Sequence, residues 1–162
     1  LKNIRKLSIG VVGASNATPS DVELATQVGR LIARSGAVLV CGGLGGVMEA
    51  CARGVVEEGG ASVGILPGNF MEEANEFVTV AIATGVGEAR NVILVKSSDC
   101  LIAIGGGYGT LSEIATAMRF GVDVVGLQTW KVQGSDPDTI IRVDSAEDAV
   151  LKALECSQKK RS

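Results

Sequence analysis

No histidine occurs among the 162 residues, and that removes several mechanisms at once. Imidazole proton shuttles, histidine-ligated zinc and the Ser-His-Asp and Cys-His nucleophile systems are all excluded. A general acid or base must come from a carboxylate, a cysteine, a lysine, the single tyrosine Tyr108 or the ligand itself. Four cysteines are present, Cys41, Cys51, Cys100 and Cys156, with no CxxC pair among them. Cys41 and Cys100 fall in strand-like apolar runs and Cys51 in a helical pattern, which reads as buried free thiols in a reducing compartment.

Dense positive charge is lacking too. Fifteen Lys and Arg against eighteen Asp and Glu give a net charge of -3, and Lys159-Lys160-Arg161 is the one basic run. Nucleic acid is therefore not an expected partner. Every apolar run is broken by charge or glycine well short of the roughly 20 residues of a membrane span. No signal-peptide pattern opens the chain, so no membrane partner and a cytoplasmic location are expected. The acidic pairs Asp21/Glu23 and Glu72/Glu73 lie in polar stretches without supporting ligands, and no metal site is expected from them.

Glycine is abundant instead. There are 22, against an average of about 7% of residues, and they cluster at the ends of apolar runs. Leu7–Gly13, Ala37–Cys41, Ala61–Leu66, Cys100–Ile104, Val122–Leu127 and Ile140–Val143 read as strands, with Phe77–Ile82 a further short candidate. Between them, residues 20–36, 47–59, 88–98, 111–120 and 146–154 carry helical spacing. Ser20 and Glu23 form a capping-box pattern at the first helix, and Asp144 or Ser145 suits the cap of the last. Strand, glycine turn and helix in repetition predict an α/β fold: a Rossmann-like three-layer sandwich with a mostly parallel sheet. One domain over 1–156 and a basic tail over 157–162 complete the expected organisation.

Three glycine turns are candidate ligand loops. Gly105-Gly106-Gly107-Tyr108-Gly109-Thr110 stands between a strand and a helix start, where backbone amides and the helix end favour a phosphate. Tight turns alone would use the same glycines. The run lacks the GK[ST] of nucleotide triphosphatases and the spacing of the dinucleotide fingerprint. Gly42-Gly43-Leu44-Gly45-Gly46, with Met48 just beyond, and Gly13-Ala14-Ser15-Asn16 occupy equivalent strand ends, so three loops can converge on one crevice. Met48 reads equally well as a packing residue.

Glu113 lies three residues after Thr110, which fits either a helix cap or a carboxylate facing the ligand. Arg90 offers a fork of donors for a phosphate or sugar oxygen, or a solvated surface charge. Glu49 and Glu88 are open in the same way. Tyr108, among glycines that cannot bury it, is placed to cover the ligand or a partner subunit.

The run GGGYGTLSE at Gly105–Glu113 resembles the PGGxGTxxE motif of the Lonely Guy and lysine-decarboxylase-like proteins. Gly42–Met48 and Gly64-Ile65-Leu66-Pro67-Gly68 resemble that family's earlier glycine loop and third strand, and the resemblance covers nearly the whole chain. It is greatest to the short group that contains the molybdenum cofactor carrier proteins. The resemblance implies hydrolysis of the N-glycosidic bond of nucleoside 5'-monophosphates, with Arg90 and Glu113 as the catalytic pair, or carriage of molybdenum cofactor or a nucleotide without turnover. It also implies a homodimer or homotetramer and no required cofactor. Gly105 replaces the family's proline, and Gly87-Glu88-Ala89-Arg90-Asn91 replaces its MHxRK element.

Overall fold

The computed structural model describes residues 5–160. Seven strands, β1 (Ser8–Gly13), β2 (Val38–Cys41), β3 (Ser62–Leu66), β4 (Val80–Ala83), β5 (Cys100–Ile104), β6 (Val124–Leu127) and β7 (Ile141–Val143), form one sheet. Their order is β4-β3-β2-β1-β5-β6-β7 and every pairing is parallel. Five α-helices complete it among the described residues: α1 (Pro19–Arg34), α2 (Val47–Glu57), α3 (Arg90–Lys96), α4 (Tyr108–Arg119) and α5 (Ala146–Lys159).

Apolar side chains on both faces of the strands make this a three-layer sandwich. One face packs Ile9, Val11, Leu39, Cys41, Ile102 and Ile104 under α1, α2 and α5. The other packs Val12, Val40, Leu101 and Ala103 under Leu94 and Val95 of α3 and Ile114 and Ala117 of α4. All four cysteines are buried free thiols, and burial pushes that of Cys41 up to about 11, so it stays protonated near neutrality. Among the described residues no helix is long and apolar enough to cross a membrane.

The chain runs outward from β1 to β4, then returns to β5 on the other flank of β1. Strand order reverses there, and Gly13 at the end of β1 sits in register with Ile104 at the end of β5. A parallel sheet opens a crevice beyond its strand ends at such a switch point.

Several boundaries differ from the sequence expectation. Thr18 and Asp21, not Ser20 and Glu23, form the capping box of α1, because Pro19 has the φ suited to the first helical position and starts the helix early. β4 begins at Val80, because Thr79 and Phe77 are engaged with Ser62: Ser62 N–H donates to Thr79 Oγ1 at 2.7 Å, and Thr79 Oγ1 donates to Ser62 O at 2.7 Å. Before α3 a 3-10 turn spans Gly87–Ala89, and α4 starts three residues before the expected Leu111. Ser145 caps α5. That helix runs on to Lys159, with Ser157 buried and donating to Ala153 O at 2.6 Å. The tail boundary expected at 157 therefore falls inside a helix, and residues 161–162 lie outside the described part.

Candidate functional site

Beyond the ends of β1, β2, β3 and β5 the loops enclose a cleft of about 260 Å3. Gly13, Ala14 and Ser15 line it from the first loop, Leu44 and Met48 from the second, and Pro67 from the turn after β3. Glu88, Arg90 and Asn91 close one side at the start of α3; Gly107, Gly109, Thr110 and Glu113 close another at the start of α4. The three loops and the pair singled out in the sequence thus meet in one place.

The start of α4 carries a row of donors. None of the backbone N–H groups from Gly106 to Thr110 meets a protein acceptor among the described residues, as expected of a first helical turn without a side-chain cap. The helix N-cap is Gly107. Gly105 and Gly106 have φ of +52° and +111°, values that only glycine adopts without penalty. Unpartnered amides at a helix start, with the helix dipole behind them, suit an anion. Thr110 is 2% exposed, and its hydroxyl also lacks a protein partner among the described residues. Buried polar groups are rarely left so.

Glu113 does not cap the helix, since it stands one and a half turns inside it. The residue is 8% exposed and lines the cleft. Burial pushes its carboxyl up to about 7, with the Arg90 guanidinium opposing the rise and the Glu88 carboxylate adding to it. The group therefore changes charge near neutral pH, the range in which proton transfer or charge stabilisation can be gated.

Arg90 is no surface residue. At 7% exposure it donates through Nη1 to Gly42 O at 2.7 Å and Ile65 O at 2.6 Å, and through Nε to Asn91 Oδ1 at 3.0 Å. A guanidinium has five N–H donors, and the two on Nη2 meet no protein acceptor among the described residues. Asn91, which stands where the MHxRK element has lysine, fixes the orientation of the arginine.

Other expected ligand residues serve the cleft from behind. Gly42 lets Arg90 approach, and Gly43 and Gly46 flank the lining residue Leu44 without lining the cleft themselves. Asn75, which the sequence reading passed over, donates through Nδ2 to Gly43 O at 3.2 Å and Leu44 O at 2.8 Å, holding that loop. Gly105 and Gly106 shape the turn rather than line the cleft. Tyr108, 83% exposed, is not among the lining residues; its ring stacks on Trp130 with centroids 5.7 Å apart. Pro67 and Ala14 line the cleft as well; they lie within the runs Gly64–Gly68 and Gly13–Asn16 without having been singled out as site residues. Glu49 is outside the cleft, whereas Glu88 is on its rim.

Residues 6–158 match the SLOG cluster4 family. A protein of Archaeoglobus fulgidus is 50% identical over 125 residues, covering 77% of this chain and 82% of that protein. A cytokinin riboside 5'-monophosphate phosphoribohydrolase of Mycobacterium tuberculosis is 35% identical over 119 residues, 70% of this chain and 63% of that one. The chain spans between 33% and 63% of the length of the curated phosphoribohydrolases it matches. The structure of the molybdenum cofactor binding protein of Rippkaea orientalis superposes with a TM-score of 0.84 at 36% identity, covering 98% of this chain and 99% of that chain. The glycine loops, the buried Arg90–Glu113 pair and this breadth of similarity converge: the chain belongs to the SLOG cluster4 family, within the Lonely Guy-like superfamily that includes molybdenum cofactor carriers.

Proposed function

We propose that the cleft binds a phosphorylated, nucleotide-like ligand and hydrolyses the N-glycosidic bond of a nucleoside 5'-monophosphate. The observation that carries this reading is the arrangement of unpartnered polar groups. A row of free amides and the buried Thr110 hydroxyl at one wall suit a phosphate, and the buried Glu113 carboxyl faces the same space. The amides from Gly106 to Thr110 hold the phosphate. Ionised Glu113 steadies positive charge that develops on the ribose as the bond to the base breaks, and orients the attacking water. Arg90 Nη2 reaches ribose or phosphate oxygens. The water oxygen bonds to C1' and the C1'–N electron pair leaves with the base. A proton from the water passes through Glu113 or solvent to the base, giving free base and ribose 5-phosphate. No metal or redox cofactor enters this scheme.

A second reading is carriage without turnover of a phosphorylated pterin such as molybdenum cofactor. It is favoured by the end-to-end similarity to the Rippkaea orientalis protein, where the phosphoribohydrolases match over part of their length. Chromatography of the purified protein with a panel of nucleoside 5'-monophosphates separates the two. Release of base and ribose 5-phosphate that stops in Glu113→Gln supports hydrolysis. No release from any of them by folded protein supports the carrier, and pterins that copurify are then sought.

A further inference from the structure

The donor row is built on three consecutive glycines, the least rigid backbone available, and its helix has no side-chain cap. Something else must hold it. Two residues just after β6 do so from outside the cleft. Thr129 Oγ1 donates to Gly105 O at 2.6 Å, and Trp130 Nε1 donates to Gly107 O at 3.1 Å. Gly107 O also accepts the first bond of α4, from Leu111 N–H at 3.1 Å.

A trans peptide sets the carbonyl of one residue opposite the N–H of the next. Holding Gly105 O toward Thr129 therefore turns the Gly106 N–H away from Thr129. Holding Gly107 O likewise fixes the Tyr108 N–H, at the outer end of the helix where an anion sits best.

The holding segment is itself fixed at a cost. Gln128 has φ of +51°, the one non-glycine residue in that region among those described, and such a conformation is unfavourable by about 1 kcal/mol or more. It lies directly before Thr129 and Trp130. Arg142 then ties the segment down, with Nη2 donating to Trp130 O at 3.0 Å while pairing with Asp138. Trp130 contacts the loop a second time through its stack on Tyr108.

We propose that Thr129 and Trp130 are positioning residues that fix the peptide planes of Gly105–Gly106 and Gly107–Tyr108, and through them the cleft-lining amides at the start of α4, an inference that rests on the phosphate reading above. Neither touches the ligand. They set the direction of the groups that do.

Thr129→Val removes the donor within the same shape, Thr129→Ser keeps it, and Trp130→Phe keeps an aromatic ring for the stack but loses the N–H. Ribose 5-phosphate serves as the probe, titrated by calorimetry, with amide resonances of Gly106 and Tyr108 followed by nitrogen-15 NMR in the unliganded proteins. Thr129→Val and Trp130→Phe are expected to weaken ribose 5-phosphate about five- to tenfold, the scale of one hydrogen bond, and to move both resonances. Thr129→Ser should stay within about twofold of the parent, a rescue that a merely structural role does not require. Unchanged affinity and unmoved resonances in both donor-less variants would overturn the proposal. If the parent protein itself binds no ribose 5-phosphate, the phosphate reading fails. The resonances then decide the positioning role alone: shifts in the donor-less variants but not in Thr129→Ser sustain it, and unmoved resonances end it.

Discussion

Arg90 donates through Nη1 to the carbonyl oxygen of Gly42 at 2.7 Å, and a Cβ placed on Gly42 would lie 2.5 Å from that same nitrogen. The absence of a side chain at residue 42 and the burial of a guanidinium from α3 are two halves of one contact. Gly42→Ala is expected to displace Arg90 and to press on Met48 Sδ, 2.6 Å from the added carbon. Overpacking of this kind costs about 1–3 kcal/mol, read as a lower midpoint in urea unfolding, with turnover reduced more than stability.

Arg90→Lys keeps the charge and loses the fork. One ammonium cannot serve Gly42 O, Ile65 O and Asn91 Oδ1 in the guanidinium geometry. A buried acceptor left unsatisfied costs about 1–3 kcal/mol. Thermal unfolding is expected to show a loss in that range, with weakened ligand binding alongside it.

The Glu113 carboxyl titrates near 7 in the folded protein against 4.5 ordinarily, chiefly through burial. Its folded value is raised, so the unfolded chain loses this proton first. Stability is therefore highest below about pH 4.5 as far as this group is concerned, falls as pH rises toward 7, and levels off above. At about 1.4 kcal/mol per pH unit the drop is on the order of 3 kcal/mol. Glu113→Gln should abolish that portion of the pH dependence and unfold at higher denaturant than the parent at pH 8. The proposed hydrolysis uses the ionised form, so kcat is expected to rise with pH through about 7. A parent and a variant with the same stability profile would contradict the assignment.

Thr110→Val sets binding against stability. The hydroxyl is buried and has no protein partner among the described residues, so its replacement by a methyl should leave unfolding unchanged or slightly improved. Affinity for ribose 5-phosphate should fall about tenfold, on the scale of a hydrogen bond to a charged group.

Much of this was legible in the sequence, and the limits have physical causes. Val38–Cys41 and Cys100–Ile104 are continuous apolar runs because both faces of those strands are covered, and such runs announce themselves. The loops after them are marked by glycine for the same reason that they are useful. Spacing alone left Glu113 between cap and ligand group. Only the start of α4 at Tyr108 decides it, and a glycine N-cap gives no side-chain signal for that start. Tyr108 is expected over the ligand or a partner subunit, and its stack on Trp130 depends on a segment 22 residues later that carries no motif. Asn75 and Thr129 hold carbonyls across the fold through one or two side-chain hydrogen bonds each, contacts that local periodicity does not encode.

The most direct measurement is a calorimetric titration of the Glu113→Gln protein, in which turnover does not interfere, with ribose 5-phosphate and separately with ribose. The expected result is saturable binding of ribose 5-phosphate, with ribose at least about a hundredfold weaker, as several charge-assisted hydrogen bonds to the phosphate require. Equal affinity for the two, or no binding of the phosphorylated sugar by folded protein, would contradict a phosphate seat on the amides of Gly106 to Thr110.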